Sequence, residues 1–184
     1  MVEQTESDGK RVKAFANKAF IGRPAPEFVA EAVSKRKFKQ ISIKDYRGKY
    51  LVLIFYPSDF NTVDVSRSEL CEFSNNIDQF NLLNCSIVAI STDSKYTHHA
   101  WLSSEQSFIS GLKFPLCADK SHNISRDYGV LKNNSGVSNR ALFIIDDNGL
   151  IRHLSINDVG AARSVEETLR LVTRFQEADE YTNP

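Results

Sequence analysis

The 184-residue chain has only three cysteines, Cys71, Cys85 and Cys117, with no Cys-x-x-Cys pair and no His/Cys cluster at metal-ligand spacing. An odd number of thiols is a poor disulfide framework and argues for a reducing compartment. The chain also lacks an excess of charge: 23 Lys plus Arg balance 23 Asp plus Glu. No global field therefore draws it toward nucleic acid or an anionic membrane. Long hydrophobic runs are missing too, since the longest, Tyr50 to Tyr56, falls far short of a bilayer span. The first twenty residues hold Glu3, Glu6 and Asp8 and no apolar stretch, which fits neither a secretory signal nor a mitochondrial presequence. The expected location is cytoplasmic. What remains, 41% hydrophobic and 25% charged residues, is the balance of one soluble domain.

Residues 1–20 are polar and without periodicity, and are expected to form a flexible N-terminal arm. Residues 21–184 read as one domain without linker or repeat. Phe38 to Ile43 alternates as a strand, and Asp45-Tyr46-Arg47-Gly48 supplies turn chemistry. Tyr50 to Tyr56 is a continuous apolar run closed by Pro57, the pattern of a central strand buried on both faces. Leu70, Phe73, Ile77 and Phe80 recur at helical spacing. Ser86 to Ile90 reads as a second buried strand, and Ser94 to about Phe108 as a helix carrying Trp101. A short helix runs from Ser121 to Tyr128, with Gly129 placed to end it. Asp146-Asp147-Asn148-Gly149 joins Ala141–Ile145 to Leu150–Ile156 as a hairpin. A capping box, Ser164-Val165-Glu166-Glu167, opens the last helix, whose Val165, Leu169 and Val172 share one face. This order of elements describes an α/β thioredoxin-like layer structure.

The motifs themselves extend the reading. Ile21-Gly-Arg-Pro-Ala-Pro-Glu-Phe28, Asp45-Tyr-Arg-Gly-Lys-Tyr50, Phe55-Tyr-Pro57, Ser91-Thr-Asp-Ser-Lys95 and His99-Ala-Trp101 closely resemble segments of the typical 2-Cys peroxiredoxins. Arg126-Asp-Tyr-Gly-Val-Leu-Lys132, Arg140-Ala-Leu-Phe-Ile-Ile-Asp146 and Arg163-Ser-Val-Glu-Glu-Thr-Leu-Arg-Leu-Val172 do so as well, in the same order. The resemblance implies a thioredoxin-like fold of peroxiredoxin type, with a central mixed sheet and flanking helices. It also implies an antioxidant oxidoreductase lineage: thioredoxin-dependent peroxidases that reduce hydrogen peroxide and organic hydroperoxides without metal or cofactor. Self-association is implied too, as a homodimer or a higher oligomer, with thioredoxin or other peroxiredoxins as further partners.

The peroxiredoxin pattern after the first central strand is Pro-x-x-x-Thr-x-x-Cys, and Pro-Thr-Glu follows the peroxidatic cysteine. Here the segment Phe55 to Leu70 is two residues longer. Counted forward from Pro57, the cysteine position is Asp64; counted back from Ser68-Glu69-Leu70, it is Ser66, with Arg67 in the proline position. At about 100° per residue, Ser66 falls in the stripe of Leu70, Phe73 and Ile77, whereas Asp64 would point away. Neither count gives a thiol. Serine cannot inherit the reaction, because a thiolate is oxidised by peroxide to a sulfenic acid and a serine oxygen has no such oxidised state to reach. Its hydroxyl is also un-ionised at neutral pH, whereas a cysteine thiol of about 8.5 can be brought below 7.

By the same resemblance Arg140 carries over as the activating arginine, Glu69 as the motif glutamate and Arg163 as the second arginine. Without a thiol, a buried charged network holding helix to strand is the weightier meaning of the three. Cys71, five residues beyond Ser66, is the alternative thiol. It lies about 140° around the helix from that position, and reads as an unbridged thiol on the helix flank. Cys85 and Cys117 read as small packing residues. The resolving cysteine of the family lies in a C-terminal tail beyond the place where this sequence stops. The basic run Lys35-Arg36-Lys37-Phe38-Lys39 reads as a solvated turn. His98 and His99, being adjacent, do not face one metal site. The expectation is a catalytically impaired homologue, a pseudoenzyme serving binding or assembly. A residual peroxidase using Cys71 and a holdase chaperone are the alternatives.

Overall fold

Val52 and Ile54 face one way from the most buried strand, and Leu51, Leu53 and Phe55 the other. That single alternation divides the molecule into layers. In the computed structural model, which describes residues 18–61, 65–104, 109–157 and 161–182, this strand is β3 (Tyr50–Phe55), with all six residues buried. Each such aliphatic side chain contributes about 1.5–3 kcal/mol on burial, so the strand anchors both faces.

Around it lie β1 (Val29–Ser34), β2 (Lys37–Ser42), β4 (Cys85–Ser91), β5 (Leu116–Ala118), β6 (Arg140–Ile145) and β7 (Ile151–Asn157). The sheet order is β2-β1-β5-β4-β3-β6-β7. β3 pairs in parallel with β4 and antiparallel with β6, so the sheet is mixed and the α/β thioredoxin-like reading holds. The helices are α1 (Ser66–Asn75), α2 (Ile77–Leu82), α3 (Lys95–Ser103), α4 (Asn123–Asp127) and α5 (Val165–Thr182). Residues from α1, α2, α3 and α5 share the core cluster of Val52 and Ile54. Ile124 of α4, together with Tyr128, covers the other face with Leu51, Leu53 and Phe55.

Several expectations need correction. Packing begins before Ile21: Ala19 is buried, and the Lys18 backbone N–H donates to the Asp127 carbonyl (2.9 Å). The rest of the expected arm, residues 1–17, lies outside the described residues. The apolar stripe from Leu70 to Phe80 belongs to two helices, broken at Asn76, whose backbone turns out of helical geometry (φ −96°, ψ 10°). The tryptophan helix ends at Ser103, earlier than Phe108, which lies outside the described residues. β1 and β5, unread in the sequence, complete one side of the sheet. The capping box is half made: the Ser164 hydroxyl accepts from the Glu167 N–H (3.1 Å), while the Glu167 carboxylate turns to Arg170.

Candidate active site

β3 ends at Phe55, β6 begins at Arg140, and α1 and α5 both start beside that junction. Ser66 is the first residue of α1 and is only 1% exposed. Its side chain lies inward, where Arg140 Nη2 donates to Ser66 Oγ (3.2 Å). Glu69, one turn further on the same buried face, accepts from Arg140 Nη1 at Oε2 (2.8 Å). The same oxygen accepts from Arg163 Nη2 (2.5 Å), and Oε1 accepts from Arg163 Nε (2.8 Å) and from the Arg163 backbone N–H (2.6 Å). Arg163 Nη1 reaches the carbonyl of Phe55 (2.7 Å) and that of Ala141. One carboxylate thus joins two guanidiniums, and the second guanidinium clamps the ends of β3 and β6.

Helical spacing explains why Ser66 and Glu69 lie together: residues three apart share a face. The two arginines come from distant chain segments and meet the helix only through the fold. Among the described residues, two guanidiniums face one carboxylate here, a local excess of positive charge. Such a field favours an anion beside Ser66 Oγ. It would stabilise a thiolate; a serine hydroxyl offers nothing to ionise at neutral pH. Asp64, the other candidate for the cysteine position, lies outside the described residues.

The thiols stand elsewhere. Cys71 is half-buried on the α1 flank, packed against the core cluster. Burial raises its pKa, with Arg67 opposing. Cys85 and Cys117 are fully buried, and burial pushes both up to about 12. A nucleophilic thiol needs the reverse shift. No disulfide joins them.

A buried polar network beside this site escaped the sequence reading. His98 Nδ1 lies 2.7 Å from Asp59 Oδ2, and both side chains are fully buried. Tyr56 donates its hydroxyl to Asp59 Oδ1 (2.7 Å), and His98 Nε2 meets the Cys117 carbonyl (3.2 Å). Because a carbonyl only accepts, Nε2 carries a hydrogen. Burial raises the Asp59 carboxyl above its ordinary value even though His98 and Tyr56 oppose the shift. The network ties the loop after β3 to α3 and β5. Sequence spacing presents His98 only as half of the adjacent His98–His99 pair. Its actual partner is thirty-nine residues away, and no local spacing rule could pair them.

Comparison with known proteins agrees with the architecture. The model of the AhpC/TSA family matches residues 21–154. A peroxiredoxin of Cynops pyrrhogaster is 48% identical over 169 residues, covering 90% of this chain and 84% of that protein. Peroxiredoxin-2 of Bos taurus is 45% identical over 166 residues, covering 89% and 82%. Among solved structures, reduced 2-Cys peroxiredoxin of Plasmodium vivax superposes with a TM-score of 0.84 at 38% identity, covering 89% of this chain and 86% of that one. AhpC of Enterococcus faecalis gives 0.84 at 32% identity, covering 92% and 98%.

Proposed function

Because this chain belongs to the AhpC/TSA family and is a typical 2-Cys peroxiredoxin by descent, we propose that it is a pseudoenzyme of that family. In this reading it keeps the fold and the arginine–glutamate pocket of a thioredoxin-dependent peroxidase and has lost thiol peroxidase turnover. The observation that carries it is the 3.2 Å contact from Arg140 Nη2 to Ser66 Oγ. The residue that meets the pocket arginine at the start of α1 is a serine, which peroxide cannot oxidise in the way it oxidises a thiolate. Its role is then binding or assembly in the cytoplasm, with a second copy of itself as first partner. Clients of a holdase, thioredoxin or other peroxiredoxins are the remaining partner classes.

The test is peroxide consumption by the purified chain with a thiol reductant, compared with a thiol-blocked sample. Equal slow rates are expected. Rapid, stoichiometric sulfenic acid at Cys71, abolished by Cys71→Ser, would establish instead a residual peroxidase. Ser66→Cys should return only part of a peroxidase rate, since Arg67 and the two additional residues alter the first turn of α1. Full turnover in that variant would show the altered turn to be harmless.

A further inference from the structure

At the sheet end remote from Ser66, a cavity of about 700 Å³ opens beside the β1–β2 turn, the start of β4 and the segment leading into β5. Four cations line it, Lys35, Arg36, Lys39 and Lys113, against one carboxylate, Asp78. Among the described residues none of these four pairs with a carboxylate, although Lys18, Lys44, Lys95, Arg152, Arg170 and Arg174 each do. In a chain whose charges balance overall, this is a local excess held around a concavity. Ser34, Ser86 and Ser110 add hydroxyl donors to the same lining.

The turn itself supplies a second, independent observation. Ser34 pairs with Lys37, so Lys35 and Arg36 form a two-residue hairpin loop, and both have positive φ (49° and 59°). A loop of this kind favours Asn-Gly or Gly-Gly, because a Cβ crowds the backbone in the left-handed region. Neither side chain recovers that cost by packing, since both residues are exposed. Strain kept without a packing return points to a use for the side chains.

We propose that this cavity binds an oligophosphate group. Four cations and several hydroxyls suit a compact multivalent anion better than a single carboxylate, and lysine and arginine are the usual phosphate donors. The volume lies within the range of small-ligand sites, about 300–1,000 Å³. A nucleic acid would instead ask for an extended basic stripe.

Calorimetric titration of the full chain with tripolyphosphate, orthophosphate and ATP tests the proposal. One-site binding of tripolyphosphate is expected, at least about tenfold tighter than orthophosphate and markedly weaker at high salt. Equal affinity for ATP would assign recognition to the phosphate chain alone, and tighter ATP would add a nucleoside to the ligand. Lys39→Ala/Lys113→Ala should weaken tripolyphosphate by about tenfold or more, the scale of lost charge-assisted hydrogen bonds, with an unchanged melting temperature. Lys35→Asn/Arg36→Gly should weaken it similarly and raise the melting temperature. No saturable binding by the natural chain, unchanged affinity in both variants, or tighter binding of a single-stranded RNA than of tripolyphosphate would overturn the proposal.

Discussion

Glu69 holds two guanidiniums through side-chain hydrogen bonds of 2.5–2.8 Å while almost wholly excluded from water. An amide of the same shape removes the charge and points donors at donors. Glu69→Gln should therefore cost about 3–5 kcal/mol, the loss typical when one partner of a buried ion cluster is removed. Urea denaturation of the two proteins measures it, and a loss below 1 kcal/mol would mean that water or rearrangement satisfies the arginines. A second expectation concerns alkaline stability. Cys85 and Cys117 rise from 9.0 to about 12 in the folded protein through burial. A raised folded-state pKa gives stability that is complete below the unfolded value and is lost as pH climbs through the window from 9 to 12. Each thiol should contribute a fall of about 1.4 kcal/mol per pH unit inside that window. Denaturation at pH 8 and pH 10 should show the fall in the natural chain, and a shallower one in Cys117→Ala.

At the scale of elements, what was legible follows from how local each cause is. β3 and the β6–β7 hairpin announce themselves by an unbroken apolar run and by an Asn-Gly turn. α1 declares its buried face through Leu70 and Phe73, which is why helical spacing alone turns Ser66 inward, whereas Glu69 is legible only through the family resemblance. β1 and β5 stayed hidden because β5 is three residues long and β1 is half exposed. Their strand state comes from neighbours, not from their own pattern. The break at Asn76 was hidden for the opposite reason: the stripe continues through it, since α2 resumes almost in phase. The Asp59–His98 pair was invisible because only the fold brings the two residues together. The turn before β7 allows a sharp test. Gly149 has φ +80°, and a Cβ there would meet the Arg47 guanidinium. Gly149→Ala should lower stability by at least about 1–2 kcal/mol, from the left-handed backbone alone. Thermal denaturation would detect it, and an unchanged melting temperature would show that the turn can flip to a negative φ.

For the whole molecule, the two sheet edges are treated differently. β2 carries Lys37 and Lys39, and its half-exposed Phe38 packs one side of its ring against Tyr96 and His99, with Lys95 over it. Charged residues on an edge discourage pairing with another chain. β7 has Leu154 half-buried and Ile156 45% exposed, and its Arg152 is engaged by Asp146 and Asp179. The start of this edge is already paired, since Ile151 exchanges backbone hydrogen bonds with Gly22 and Arg23. The stretch with Leu154 and Ile156 stays open to a strand, and a second copy of itself satisfies both edges at once through a two-fold axis. We therefore expect a homodimer built on antiparallel β7–β7 pairing. A higher oligomer such as a decamer should be weak or missing, because this chain carries two additional residues in the segment leading to Ser66. Light scattering at micromolar concentration should give twice the monomer mass. Ile156→Lys, which puts a charge on the exposed apolar position of this edge, should return the monomer with secondary structure retained. A natural chain that is monomeric would refute the edge-strand argument, and a salt-stable decamer would show that the lengthened loop still fits its neighbour.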